Sequence, residues 1–366
     1  MFLLWGYMLI KRVIANVFGS RRPTKKTDLG QLDSVLLNPV GDAIGDAVAH
    51  GLHLRQLKAC YPHLKIGVFV TERNRAVFAA SGVVDELITM TPVAYVKQRK
   101  KWDLYLDFTT RFNSKSLILD KILAPERVMI FVKTAKKYYS LDNIHNYDFY
   151  TPLPPHTHFK DYLKHSALGV YLASQPPLFY QLRLSEAVCQ LAEKQWQIDK
   201  IRVLLCPQGS SKRRQLPAQE CAAILHKIPP HLQDNIDLQL GYSAQNQAYL
   251  AQLSQFGALP EIREAQKTTV EQYLALVNSA DIVLAVDSGT VHVACAFDKP
   301  LLAFYANFPT NIAKWQPYAR DTANIKMLVG QGAAADSDAT QNFDTEQASA
   351  WLNAQLAVRV SGKNNN

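Results

Sequence analysis

Short apolar runs alternate along this chain with stretches whose apolar positions recur at helical spacing. Ser34–Asn38 is the first run, and the glycine-bearing turn Pro39-Val-Gly-Asp-Ala-Ile-Gly-Asp46 follows it. A helix of about four turns then extends to Tyr61, where Pro62 stops it. Lys65–Val70, 84–89, 103–108 and 127–132 read as further strands, with helices over 74–81 and 113–123. Runs that are apolar throughout, rather than at alternate positions, are those of strands buried on both faces of a parallel sheet. Strands alternating with helices predict a doubly wound α/β domain.

The same rhythm resumes after the punctuation Ser174-Gln-Pro-Pro177. Residues 179–184 read as extended and 185–196 as a helix. Strands are expected at Ile201–Cys206, Ile236–Leu240, 259–262, Ile282–Val286 and Leu301–Tyr305. Helices are expected at 218–228, 245–256, 269–279, from Gly289 onward, and at 345–357. Between the two series, 133–165 is rich in Tyr, His, Asn and Pro and reads as irregular. Such a segment is either an acceptor-contacting loop or an ordinary surface excursion. The organisation expected is an N-terminal arm (1–30), an α/β domain (31–175), a second one (176–340) and a C-terminal helix and tail (341–366). The linker falls at about 173–185 and a flexible connection at 330–340.

Length agrees with that division, since 366 residues exceed one ordinary domain. With 48% hydrophobic and 19% charged residues the chain is globular. Its five cysteines are dispersed with no C-x-x-C pair, which fits thiols kept reduced as small core residues. No Cys/His group has zinc spacing.

The charge is less even. Net charge is +9, which suits nucleic acid, anionic lipid or phosphorylated substrates alike. Residues 1–27 carry Lys11, Arg12, Arg21, Arg22, Lys25 and Lys26 and no acid. The apolar run 2–10 precedes these cations, the reverse of a secretory signal, and it is too short to span a bilayer. The arm is expected to be an interfacial helix on the cytoplasmic face of an anionic membrane, or else to pack on its own domain or a partner subunit.

Candidate chemistry gathers at strand ends, where α/β sheets place their functional residues. Gly41, Asp42, Gly45 and Asp46 follow the first strand; the aspartates are candidate helix caps as well as candidate catalytic groups. The turn Gly209-Ser-Ser-Lys-Arg-Arg214 joins small hydroxyl residues to three cations, a cradle for anionic oxygens. Asp287-Ser-Gly-Thr-Val-His292 opens a helix whose N-terminal N–H groups suit phosphate, with His292 either a core histidine or a phosphate donor. Neither a dinucleotide fingerprint nor a G-x-x-x-x-G-K-[ST] loop is present, which removes the dehydrogenase reading. Asp336-Ser-Asp338 matches the D-x-D pattern but lacks a strand before it and is read as a solvated loop.

Together Gly45-Asp46, Gly209-Ser-Ser…Arg214-Gln-Leu-Pro217, and Ser279-Ala-Asp281 leading to Asp287-Ser-Gly-Thr-Val-His292 and Lys299-Pro300 resemble glycosyltransferase family 9, the lipopolysaccharide heptosyltransferases. The resemblance covers about 34–320 and leaves the arm outside. It implies the GT-B architecture, two Rossmann-like domains facing across a central cleft. It implies inverting, metal-independent transfer, without a cofactor, of a heptose from ADP-heptose to a lipopolysaccharide core acceptor by a peripheral enzyme on the inner face of the bacterial inner membrane. Carried onto this chain, Asp46 is the general base, with Asp42 and Gly45 on the acceptor side. Gly209, Ser210, Ser211, Lys212, Arg214, Gln245, Asp287, Ser288, Gly289 and His292 fall to the donor. The sequence departs from the family's pattern at Arg214 and Leu216, where a lysine and a tryptophan are usual, at Gln245, where a glutamate is frequent, and at Ala49, where a histidine is frequent. Arg213 and Lys212 compete with Arg214 as the diphosphate cation. A family-9-like transferase with another nucleotide sugar, building capsule or another surface glycan, is the enzymatic alternative. A basic nucleic-acid-binding protein is the non-enzymatic one, without any of the usual binding signatures.

Overall fold

The computed structural model describes residues 2–21, 28–331 and 337–364. The chain divides into two compact units, Met1–Leu178 and Phe179–Asn366.

In the first unit the strands are β1 (Ser34–Asn38), β2 (Lys65–Val70), β3 (Glu86–Thr89), β4 (Leu104–Asp107), β5 (Arg127–Ile130) and β6 (Phe149–Tyr150). They form one parallel sheet in the order β3-β2-β1-β4-β5-β6. Its helices are α1 (Phe2–Phe18), α2 (Ile44–Cys60), α3 (Glu72–Ala80), α4 (Pro92–Lys97), α5 (Ser114–Leu123) and α6 (Gly169–Leu172). Leu36, Phe69, Tyr105 and Ile130 pack as a core layer against one face of the sheet.

The second unit repeats the plan. It holds α7 (Glu186–Glu193), β7 (Ile201–Cys206), α8 (Ala218–Leu225), α9 (Pro230–Gln233), β8 (Ile236–Leu240), α10 (Asn246–Leu253), β9 (Ile262–Glu264), α11 (Val270–Ser279), β10 (Ile282–Val286), α12 (Gly289–Ala296), β11 (Leu301–Tyr305), α13 (Pro309–Trp315), β12 (Ile325–Val329) and α14 (Thr345–Asn364). The sheet order is β12-β11-β10-β7-β8-β9, all parallel. Counted from the first strand of each unit, both sheets follow the doubly wound order 3-2-1-4-5-6. The strand order reverses between β1 and β4 in one unit and between β7 and β10 in the other, and crevices at such points take ligands.

The buried central strands lie where the apolar runs put them: β1, β2, β7, β8, β10 and β11 begin and end on the expected residues. The differences fall on sheet edges and short helices. β6 and β12, with α4 and α13, were not foreseen, and β9 lies further along than 259–262. Edge strands bury one side at most, so their sequences carry no continuous apolar run. Asn113 caps α5, its side chain accepting from the Ser116 N–H, and Thr71 and Asn74 form a capping box on α3.

The arm is helical and belongs to the first unit. Of its side chains, described from Leu9 onward, Ile14, Ala15 and Phe18 pack with Phe112, Leu117, Tyr139 and Ile144. Lys121 on α5 donates to the Val17 and Ser20 carbonyls that the helix end leaves open. Leu9, Ile10, Val13 and Val17 point outward. Arg22, Lys25 and Lys26 lie outside the described residues. Among the described residues no helix is long and apolar enough to cross a membrane.

The segment 133–165, expected to be irregular, holds β6 and a 3-10 turn at Phe159–Asp161, and it buries Tyr139, Ile144 and Phe159. The connection at 330–340 is not loose where it is described: buried Thr340 donates through its N–H to the Arg213 carbonyl and through Oγ1 to the Gln215 carbonyl. Asp336 lies outside the described residues, and Asp338 pairs with Arg213 at 3.3 Å.

Candidate active site

In the first unit the chain leaves β1 at Asn38, turns through Pro39–Ala43 and enters α2. Ala43 is the N-cap residue and lends no side chain, so neither aspartate occupies the N-cap position. Asp46 occupies the first turn of α2, where the positive end of the helix dipole favours its carboxylate. A Cβ built on Gly41 would stand 2.6 Å from the Asp46 Oδ2, so the carboxylate lies over a bare stretch of backbone. Only glycine admits so close an approach. Asp42 is exposed and faces Arg73 across 3.5 Å, a solvated pair of small energetic weight.

The turn is held from below by two buried histidines that sequence reasoning passed over. The Val40 N–H donates to His50 Nε2 at 3.0 Å, the two Nδ1 atoms of His50 and His53 stand 3.4 Å apart, and His53 Nε2 meets the Phe159 carbonyl at 2.8 Å. A backbone N–H can only donate and a carbonyl can only accept. His50 therefore carries its proton on Nδ1 and donates to His53, which carries its own on Nε2. Both rings are neutral, and burial pushes the His53 pKa down to about 4. His50 follows Asp46 by one helical turn, so the chain that anchors Val40 also sets the helix bearing the carboxylate. Ala49, one residue earlier, is buried on another side of α2.

In the second unit two strand-end turns meet beside the point where the strand order reverses. The loop after β7 closes on itself: the Gly209 N–H donates to the Arg214 carbonyl at 2.6 Å, and the Leu216 N–H to Pro207 at 2.8 Å. A Cβ on Gly209 would stand 2.8 Å from Arg214 Cβ and 3.3 Å from the Asp287 carbonyl, so glycine lets the two turns touch. Asp287 is buried at the end of β10; its Oδ2 accepts from Asn311 Nδ2 on α13 at 2.7 Å and faces Arg214 Nη1 at 3.4 Å. Burial raises the Asp287 pKa, with Arg214 and Asn311 opposing.

Asp287 does not cap α12. Ser288 is the N-cap residue, and its side chain makes no capping bond. The Ser288 Oγ is buried with no hydrogen-bond partner among the described residues. Gly289 opens the helix, and its first N–H groups lie without intrahelical partners, as at any helix start. His292 is buried one turn on, its ring edge-on to Tyr180 and Trp315, each with centroids 5.8 Å away.

The three cations of the β7 loop diverge. Arg214 faces Asp287, Arg213 is exposed and paired with Asp338, and Lys212 lines a cavity of about 380 Å³ with Gln215, Gln245, Ala248, Tyr249 and Gln252. Gln245 thus shares a cavity with Lys212 of that loop, while Ser210 and Ser211 are exposed at the loop's tip. Leu216 is buried, with no aromatic ring in the place of the usual tryptophan. Asn311 was missed; Pro309 at the start of α13 marks that helix start in the sequence. Among the described residues no group of three or more His, Cys, Asp or Glu side chains is arranged to hold a metal ion.

The sequence profile of glycosyltransferase family 9 (heptosyltransferase) matches residues 96–345. An Escherichia coli (strain K12) protein provisionally named lipopolysaccharide heptosyltransferase 4 is 23% identical over 317 residues, covering 82% of this chain and 83% of its own. Among solved structures, the E. coli ADP-heptose lps heptosyltransferase II superposes with a TM-score of 0.68 at 18% identity, over 89% of this chain and 99% of that one. E. coli heptosyltransferase WaaC with ADP superposes with a TM-score of 0.65 at 14% identity, over 88% of this chain and 99% of that one.

Proposed function

The chain belongs to glycosyltransferase family 9 and has the GT-B fold, and from that premise we propose that it moves a heptose from ADP-heptose to a lipopolysaccharide core acceptor. The observation that carries this reading is the pairing of Asp287 and Arg214 at the reversal point of the second sheet, beside an N-terminal helix end. A departing nucleoside diphosphate needs cations and N–H donors, and this turn offers both. Arg214 and the N–H groups at Ser288 and Gly289 receive the diphosphate, with Ser288 Oγ as a further donor. Lys212 and Gln245 line the cavity for the nucleoside.

Asp46 of the first unit takes the proton from the acceptor hydroxyl. The acceptor oxygen bonds to the anomeric carbon as that carbon's bond to the diphosphate oxygen breaks. The nucleoside diphosphate leaves with the electron pair, and the anomeric configuration inverts. The outward apolar stripe of α1, next to Arg12, lays the first unit on an anionic membrane surface, where a lipid-linked acceptor is found.

Donor identity is tested by calorimetry and turnover with ADP-, UDP- and GDP-sugars. Preference for ADP-heptose is expected; turnover of a UDP- or GDP-sugar alone would replace the donor assignment. Asp46→Asn is expected to lower transfer by about 10²–10⁴-fold while leaving donor affinity unchanged. Sedimentation with anionic but not zwitterionic vesicles, lost in Leu9→Glu/Val13→Glu, checks the membrane contact.

A further inference from the structure

A cavity of about 850 Å³ lies beside the start of β5, between the end of the arm and the end of α5. Small-ligand sites are commonly about 300–1,000 Å³. All strands of this sheet run parallel, so the start of β5 is at the opposite edge from the Pro39–Ala43 turn that leaves β1. The sugar-transfer reading assigns nothing to it. Ile122, Pro125, Val128 and Tyr147 make much of its wall apolar.

Two polar groups of this wall are buried and incompletely used. Ser20 bridges His145 in parallel register, so the next residue of each, Arg21 and Asn146, are neighbours. Asn146 is 3% exposed, and its Nδ2 donates to the Phe18 carbonyl at 2.7 Å. A carbonyl only accepts, which fixes the orientation of the amide. The Oδ1 left over has no partner among the described residues. Arg21 pairs through Nη2 with Asp148 at 3.1 Å and donates from the same nitrogen to the Glu126 carbonyl. Its Nη1 is buried and has no partner among the described residues. Leaving such groups desolvated and unmet is unfavourable, and a ligand that accepts from one and donates to the other removes both costs.

The charge of the cavity is positive. Exposed Arg99 and Lys121 line it together with Arg21. Lys121 gives two of its three N–H groups to the Val17 and Ser20 carbonyls. Asp148 is matched by Arg21 and by the Val128 N–H. Asp120, a lining residue, has its pKa pushed up to about 8 by burial and by the charge of Asp107, with Lys133 opposing. At neutral pH it is mainly the uncharged acid and cancels no cation. The arm helix α1 ends three residues before Arg21, and its Leu9, Ile10, Val13 and Val17 face outward. The complement of these features accepts through an anionic oxygen, donates through a hydroxyl a few bonds away, and tolerates attached apolar chains.

We propose that this cavity binds a phosphodiester of a hydroxylated alcohol, a phosphoglycerol headgroup, whose anionic oxygen accepts from Arg21 Nη1 and whose hydroxyl donates to Asn146 Oδ1. A membrane phospholipid and a soluble glycerophosphodiester share that chemistry. A dianionic phosphate is a poorer match, because it only accepts and leaves Asn146 Oδ1 unmet. A choline head has no hydroxyl or N–H to give and fails for the same reason. The site uses none of the residues assigned to sugar transfer and stands or falls without that assignment.

The test titrates the full chain by calorimetry with dihexanoyl-phosphatidylglycerol, dihexanoyl-phosphatidylcholine, glycerophosphoglycerol and inorganic phosphate, the lipids held below micelle formation. Arg21→Lys keeps a cation for Asp148 and removes Nη1; Arg99→Ser removes an exposed rim charge and leaves the fold alone. The phosphatidylglycerol probe is expected to bind at one site and the phosphatidylcholine probe at least about tenfold more weakly. Arg21→Lys is expected to weaken the former about tenfold with the melting temperature held, and Arg99→Ser to weaken it by a smaller factor that added salt abolishes. Glycerophosphoglycerol binding as tightly as the lipid assigns the site to a soluble diester; binding of the lipid alone assigns it to a membrane headgroup. Absence of phosphatidylglycerol binding, equal binding of phosphatidylcholine, or equal competition by inorganic phosphate overturns the proposal. So does an affinity unchanged in Arg21→Lys or, where that variant melts early, in Arg99→Ser.

Discussion

Arg214 Nη1 stands 3.4 Å from the Asp287 carboxylate, and Gly209 is what allows their two turns to touch. The pair is only partly buried on the arginine side, so the guanidinium is held in place yet keeps donors for a ligand. Arg214→Ala is expected to weaken ADP binding about 10–100-fold, the worth of a charge-assisted hydrogen bond. Arg214→Lys should recover part of it, because a lysine keeps the charge without the planar fork. Calorimetric titration with ADP checks both; an unchanged affinity in Arg214→Ala would pass the role to Lys212.

Burial works against the charged form of Asp287. Burial holds its pKa above the ordinary 3.8, with Arg214 and Asn311 opposing. A carboxyl whose folded pKa is raised contributes stability below the unfolded value and loses it as pH rises through the folded one. At neutral pH, Asp287→Asn is therefore expected to match or exceed the parent in melting temperature while binding ADP more weakly. The stability difference should close as pH falls toward 4. Thermal melts across that range decide it: a variant less stable at pH 7 than at pH 4, relative to the parent, contradicts the sign.

Gly41 carries a geometric prediction. A methyl group there would meet the Asp46 Oδ2 at 2.6 Å, and the carboxylate, rather than the backbone, is what gives way. Displacement by about an ångström can cost about 10²-fold in rate. Gly41→Ala should lose transfer on that scale, with ADP affinity and melting temperature close to the parent. A fully active Gly41→Ala would remove Asp46 from the reacting centre.

The histidine chain predicts an acid limb in stability. His53 falls from 6.5 in the unfolded chain to about 4 in the folded one. The unfolded state takes up the proton first, so stability starts to drop as pH falls through about 6.5 and is fully lost from this source below about 4. The whole effect amounts to roughly 3 kcal/mol. His53→Gln, which keeps a donor for the Phe159 carbonyl, should flatten the melting-temperature curve between those pH values. An unchanged curve would assign the acid limb to carboxylates elsewhere.

What could be read in advance divides along physical lines. Central strands such as β1 and β10 are apolar on both faces and announce themselves. Edge strands such as β12, with most positions half-buried, do not. Among the candidate residues, those on strand-end turns could be singled out because small, hydroxyl and charged types cluster there: Gly209 to Arg214, and Asp287 to Gly289. His53 and Asn311 could not. Each lies inside a helix, and its part depends on a contact with a residue remote in sequence. The direction in which Lys212, Arg213 and Arg214 diverge is likewise a property of the closed loop and not of their order.

The two sheets share a topology but no strand. The first is complete once Tyr150 pairs with Ile130, long before the second begins at Ile201. A ribosome therefore delivers every strand of one sheet before the first strand of the other has been translated. The second waits on β12, its last strand, near the end of synthesis. Truncations that remove residues beyond 300 should thus strand a half-built second sheet beside a first one already folded.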